Sequence, residues 1–455
     1  MPFAILGRRG APAVRLPKSA ERKESGKEKG TTMSEKTTNE AAVGYAAGQG
    51  SLGRSNPEQG AKSKSASVLT IIKFAGAFVA FLIGSGYATG QEIMQFFTAY
   101  GIWSMGGLLI ALILFAWLGK VLMNYGYRHK DLGPDAMSDR AFRYYAGKYF
   151  GAFLAWFIPL FLVLVCIVMT SGAGATLAQY FGIPAWAGSL AMCLIVFITN
   201  IFGFHRIVDV IGVVGPIIIV FTLAIAGYAI ASNPQGLANV GEQSSLFAEM
   251  ANATNGAPLW ALGGLLYVAY NVAGSVPFFA QTGGTARVPR EAKIGAVLGG
   301  IAFIGAAMLM NVALLCHIEN VYMLDVPTLY LSDLISPALS VVFAVIVLCG
   351  IYSTAAPMMW TAVNRFAPEG TKRNKAVLVL FSAAVLVIAV SPLGYSQLMG
   401  IIYPYTGYIG IAFIACVVVR QLIELYNKKR GVDVETPLLL KKDAEVSTSA
   451  EATRG

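Results

Sequence analysis

The chain has 455 residues, 56% of them hydrophobic and 13% charged, against roughly 25% charged in an average soluble domain, which excludes an ordinary water-soluble enzyme. Lys and Arg number 34 against 24 Asp and Glu, a formal charge of +10. Residues 1–66 alone hold 12 basic and 6 acidic residues, so the surplus fits the loops and tails of a membrane protein better than a nucleic-acid surface.

Residues 1–66 are rich in Gly, Ser, Ala, Lys and Glu without apolar periodicity and read as a disordered extension. Met33 is a candidate for the true start, since nothing before it looks structural. Ten apolar runs follow, near 67–99, 102–125, 151–180, 184–203, 207–231, 258–281, 292–316, 337–365, 375–392 and 397–425. Each approaches the roughly 20 residues that cross a bilayer as a helix; they are numbered spans 1 to 10. The expected organisation is a ten-span domain over 67–427, with halves 67–231 and 258–427, and a second disordered tail over 428–455.

The basic residues test this count. With both termini in the cytoplasm, the inner loops hold Arg128, Lys130, Arg140, Arg143, Lys148, Arg206, Arg287, Arg290, Lys293, Lys372, Arg373 and Lys375. The outer loops, 100–101, 181–183, 232–257, 317–336 and 393–396, contain no Lys or Arg but hold Glu242, Glu249, Glu319, Asp325 and Asp333. One missed or invented span would scramble this positive-inside alternation. A multi-pass protein of the cell membrane is the expectation.

Two spans carry interruptions at matched places. Span 1 reads Phe81-Leu-Ile-Gly-Ser-Gly-Tyr-Ala-Thr-Gly-Gln-Glu92, and span 6 reads Tyr267-Val-Ala-Tyr-Asn-Val-Ala-Gly-Ser-Val-Pro277. Gly84 and Gly274 lie 190 positions apart (274 − 84), each in the first span of a five-span half. Because five is odd, the second half starts from the opposite face, giving inverted repeats. A helix broken at mid-membrane exposes N–H groups suited to a carboxylate and carbonyls suited to a cation or ammonium; the plainer reading is that the glycines let helices pack closely.

The glycine-serine-glycine interruption, the five-plus-five arrangement and the interrupted sixth span resemble the amino acid–polyamine–organocation superfamily with the leucine-transporter fold. The string Ile83-Gly-Ser-Gly-Tyr-Ala-Thr-Gly-Gln-Glu-Ile-Met-Gln-Phe-Phe97 resembles the YkvI-type bacterial membrane proteins, a family associated with amino-acid permeation, and the resemblance covers about residues 67–427. It implies an all-α polytopic protein of ten spans with spans 1 and 6 broken. It also implies a Na+ site on span 8, where Gly350-Ile-Tyr-Ser353-Thr354 matches the pattern of sodium-coupled relatives: Gly350, Ser353 and Thr354 would join carbonyls near Leu82 and Ser85. Ser and Thr hydroxyls in membrane helices also bond back to their own helix. Proton-coupled relatives can place a lysine in span 5; here span 5 has none, only Arg206 at its end.

Glu92 is the one acidic residue well inside a span, where a charge costs about 2.5–3.5 kcal/mol on insertion scales. It is a candidate to carry a coupling proton, bind an amine or lock the outer part of span 1, and its neighbour Gln91 is ambiguous in the same way. Lys120 and Asp209 sit near helix ends where polar heads reach the interface. Of the tyrosines Tyr267, Tyr270, Tyr403, Tyr405 and Tyr408, Tyr270 and Tyr403 are the candidates for a substrate chamber, with Gly84, Ser85, Gly86, Tyr87, Asn271, Gly274 and Ser275.

The five cysteines are odd in number and none forms a CxxC or Cys/His pair, so they read as buried free thiols rather than disulfides or a zinc site. No Ser/His/Asp or HExxH arrangement can be assembled. The expectation is a secondary transporter, not an enzyme, without cofactor, moving a small zwitterion such as an amino acid with Na+ as coupling ion. The alternatives are a proton-coupled carrier using Glu92 and a non-transporting amino-acid sensor of the same fold.

Overall fold

The computed structural model describes residues 66–132, 134–202, 208–253 and 259–430. The extension over 1–65, Arg206 and the tail from 431 lie outside them, as do the side chains of Ser85 and Asp209. The described residues are helical, and eight helices among them are long and apolar enough to cross a membrane. They hold spans 2 to 8 and span 10, so this is a multi-pass, all-α membrane protein.

Two further segments lie where spans 1 and 9 are expected. Residues 68–96 are divided by interruptions, and Lys372–Ala389 begins with the charged run Lys-Arg-Asn-Lys. Helix starts follow the local chemistry. Pro289, Pro327 and Pro337 each open a helix at its first position, where the missing N–H is not needed. Ser336 and Thr371 cap theirs by accepting hydrogen bonds from the Leu339 and Asn374 amides at 3.2 and 3.0 Å. The helix Pro134–Phe181 carries span 3 and bends at Gly147, where φ is +75°. Span 10 continues to Lys429, four residues beyond its expected end and two beyond the expected end of the domain.

Packing repeats with a two-fold pattern. Span 1 packs on span 7 as span 6 packs on span 2, and span 3 packs on span 10 as span 8 packs on span 5. Spans 2 and 7, 3 and 8, and 4 and 9 pair with their own counterparts. These are the contacts expected when spans 1–5 and 6–10 exchange places.

The symmetry fails where the sequence suggests it should hold. Span 1 is three helices, Val68–Leu82, Ser85–Thr89 and Gln91–Phe96. Ile83 and Gly84 between the first two are extended, and Gly90 between the last two has φ +79°, a conformation that costs other residues about 1–2 kcal/mol. Span 6, expected to be broken, is one continuous helix, Trp260–Gly284. Its polar side chains bond back along their own axis: Asn271 Nδ2 donates to the Tyr267 carbonyl at 2.9 Å, and Ser275 Oγ donates to that of Asn271. Its glycines serve close packing, since Gly264 and Gly283 lie against the span 2 backbone at Gly107 and Met123. Only Pro277 interrupts the ladder, leaving the Ala273 carbonyl without its usual amide donor.

Candidate functional site

The first interruption of span 1 opens onto a cavity of about 50 Å³, room for about four waters at roughly 10–15 Å³ each. Span 1 contributes Phe81, Leu82, Gly84 and Glu92; span 6 contributes Tyr270, Asn271, Gly274 and Ser275. Spans 8 and 10 add Thr354, Met358 and Tyr403, and span 3 supplies an apolar wall of Phe161, Leu162, Val165 and Met169. The structure therefore gathers most of the sequence candidates from four separate spans around one buried space.

Glu92 is the charged centre of this space and is 4% exposed. Its carboxyl packs against Gly86, where a Cβ would overlap it. This close approach accounts for the glycine, whose missing side chain leaves room for the carboxyl. The phenols of Tyr267 and Tyr270 lie beside the Glu92 carboxyl, and both hydroxyls are buried without a hydrogen-bond partner among the described residues. Tyr270 stacks on Tyr403 with ring centroids 4.5 Å apart. A buried carboxylate ringed by phenols is an arrangement that can hold an amine, a cation or a proton.

Other candidates fall elsewhere. The Tyr87 side chain points away from the cavity: its hydroxyl donates to the Phe303 carbonyl at 3.3 Å and its ring stacks on Phe303. The aromatic ring follows the apolar side of its short helix, so only the Tyr87 backbone remains near the break. On span 8, the hydroxyls of Ser353 and Thr354 both donate to the Gly350 carbonyl, at 2.8 and 3.0 Å. Three oxygens thus gather on one turn, in the bonding that hydroxyls in membrane helices commonly adopt. Thr354 lines the cavity, whereas Gly350 faces Ile218 of span 5. The Leu82 carbonyl accepts the Gly84 amide at 3.0 Å. Tyr405 and Tyr408 are exposed, as is Cys349, unlike the buried Cys166, Cys193 and Cys316.

Sequence reasoning missed a polar layer that ties span 1 to neighbouring segments on the side of the acidic loops. Thr328, at the start of the short helix Pro327–Asp333, donates to the Ala88 carbonyl at 2.8 Å. Gln91 and Gln95 donate to Ser396 Oγ and its carbonyl at 2.9 and 2.7 Å, and Ser396 in turn bonds to Asp325. Gln179 clasps the Val326 backbone through both ends of its amide, at 2.8 and 2.9 Å. The clue available was an acidic loop with polar residues at its tips; no spacing in it named the partners. On the opposite side spans 1 and 6 meet through stacked rings, Phe81 on Phe278 at 4.1 Å and Phe78 on Phe279 at 4.6 Å.

No protein-family model matches the chain. It is homologous to the Bacillus subtilis membrane protein YkvI, being 25% identical over 360 residues that make up 77% of this chain and 95% of YkvI. It is also similar to YyaD of the same organism, at 21% over 350 residues, 76% of this chain and 95% of YyaD. Among solved structures it is similar to a variant of the Eremococcus coleocola manganese transporter, with a TM-score of 0.49, 15% identity and coverage of 80% of this chain and 81% of that one. Mhp1, a nucleobase-cation-symport-1 family transporter, gives a TM-score of 0.46, 14% identity and coverage of 77% and 78%.

Proposed function

We propose that this protein is a secondary transporter that moves a small zwitterion, an amino acid or a close relative, by alternating access. One observation carries the reading: the break of span 1 opens onto a largely apolar cavity within the bundle that contains a buried carboxyl, that of Glu92. A helix is interrupted in a bilayer only where its freed backbone groups have other partners, and a substrate is a partner that can come and go. The contacts on the two sides differ in kind, polar clasps toward the acidic loops and stacked phenylalanines toward the basic ones, and alternating access would require each set to part in turn.

In this reading the substrate carboxylate meets the amides of Ser85, Gly86 and Tyr87, at the start of the second helix of span 1. Its amine faces Glu92, the Ala273 carbonyl freed by Pro277, and the phenols of Tyr270 and Tyr403. In the same reading Na+ is held by the Gly350 carbonyl, Ser353 and Thr354 together with the backbone carbonyls of Leu82 and Ser85. It offers an inward charge worth about 2.3 kcal/mol per 100 mV. Both termini and the basic loops are cytoplasmic, and residues 68–96 and Lys372–Ala389 complete the ten spans.

The test is the thermal midpoint of the purified protein over an amino-acid and amine panel, in sodium and then in potassium. A ligand at a hundredfold excess over Kd stabilises the folded state by about 2.7 kcal/mol. The expected result is a ligand-specific rise that requires sodium and that disappears when Ser353 and Thr354 are both changed to Ala. A rise indifferent to sodium would remove the span 8 site. It would then favour a second reading, H+ coupling through Glu92, which the burial of that carboxyl between two phenols supports.

A further inference from the structure

A second and larger cavity, of about 330 Å³, lies at the ends of spans 2, 7 and 10, on the side of the basic loops and away from the substrate chamber. Four cations line it: Lys120 and Arg128 from span 2, Lys293 from span 7 and Lys428 from span 10. They are close enough that Lys120, Arg128 and Lys428 each repel the Lys293 ammonium. One carboxylate, Glu424, faces them. It is already shared, pairing with Arg128 at 3.5 Å and Arg420 at 4.0 Å and accepting the Tyr144 hydroxyl. Among the described residues, Lys120, Lys293 and Lys428 form no ion pair.

A bundle does not draw four like charges around a hollow without a cost, and packing alone gives no reason for it. Span 10 needs no cation at Lys428 to end, and Lys293 lies a full turn inside its helix. The cost is offset if an anion occupies the hollow. Its rim indicates which kind. Leu425, which lines the cavity, and Ile294, next to Lys293, are 59% and 42% exposed along helices that continue into the membrane. A ligand that combines an anionic head with apolar chains would satisfy both surfaces.

We propose that this cavity binds a phosphate group, supplied by the head group of an acidic phospholipid in the facing leaflet. The phosphate sits among Lys120, Arg128, Lys293 and Lys428, and the acyl chains run along Ile294 and Leu425. The lipid then ties spans 2, 7 and 10 together at their loop ends, beside the part of span 7 on which the first helix of span 1 packs.

The experiment uses the purified full chain, stripped of lipid in detergent and titrated with dioleoylphosphatidylglycerol, dioleoylphosphatidylcholine or inorganic phosphate. Bound lipid is counted by native mass spectrometry, and the thermal midpoint is followed in parallel. The expected result is tight retention of phosphatidylglycerol, loss of it with added salt, and no comparable retention of phosphatidylcholine. Changing Lys120 and Lys293 together to Gln should weaken retention about thirtyfold, at about fivefold per basic residue near a membrane surface. Should that pair fail to fold, Lys428→Gln at the exposed helix end should still weaken it about fivefold. A midpoint rise with inorganic phosphate alone would assign the same site to free phosphate, whereas a rise with phosphatidylglycerol alone assigns it to lipid. Equal retention of both lipids, or unchanged retention in the lysine variants, would overturn the proposal.

Discussion

Spans 1 and 6 occupy equivalent places in the two halves and carry similar strings of glycine, serine and aromatic residues, yet one is broken and the other is whole. The difference lies in where their backbone groups find partners. In span 1 the carbonyl of Ala88 is taken by Thr328 from another segment. In span 6 the polar side chains return to their own helix and the glycines press against span 2. Small residues in a membrane helix therefore license either a break or a close approach, and the neighbouring segment decides which occurs.

The largest effect expected from this contrast is at Gly90. Gly90→Ala forces a side chain into φ +79° and places its Cβ 2.8 Å from Thr328 Cγ2. The backbone term alone is about 1–2 kcal/mol, before Thr328 is pushed from the Ala88 carbonyl. Gly274→Ala in span 6 meets only the edge of Phe161, at 3.3 Å, and should cost less than about 1 kcal/mol, since helix propensity favours Ala over Gly by about that much. Thermal unfolding of the two variants compares them directly, and similar losses would mean that the break is no more constrained than the intact helix.

Thr328→Val gives the next effect. It keeps the shape but leaves the buried Ala88 carbonyl unpaired, at a cost of about 1–3 kcal/mol. Ser275→Ala removes a hydroxyl from a carbonyl that the helix ladder also serves, so it should cost under about 0.5 kcal/mol in the same assay. If Ser275→Ala proved the more damaging, the hydroxyl would be holding span 6 together rather than merely bonding along it.

Much of this was legible in the sequence, for physical reasons that can be named. Long apolar runs and the placing of Lys and Arg are dictated by the bilayer, so the order of the helices could be read. Gly84, Glu92, Tyr270, Asn271 and Tyr403 stood out because polarity or flexibility inside a span is costly unless used, and the structure brings all five to one cavity. The intact state of span 6 was not legible, since Gly264 and Gly283 look the same whether they break a helix or admit a neighbour. Nor was the direction of Tyr87, which depends on Phe303 from a span more than two hundred residues later. Phe161 and Met169 could not be told from other apolar residues facing lipid or core, although they form a wall of the chamber.

The smallest and most discriminating change is Pro277→Ala. It restores an amide that can bond to the Ala273 carbonyl and should leave stability within about 1 kcal/mol, because the neighbouring spans already hold the helix in place. Its effect on ligand binding separates two roles for span 6. If the Ala273 carbonyl meets the substrate amine, returning it to the helix ladder removes a hydrogen bond to a charged group, worth about 1.5–3 kcal/mol, so ligand stabilisation should shrink although the protein itself is no weaker. If span 6 is only a packing surface for span 2, the ligand-induced rise will match the parent. The chamber would then draw its polar backbone groups from the break in span 1 alone, and the two halves would differ in function as they do in form.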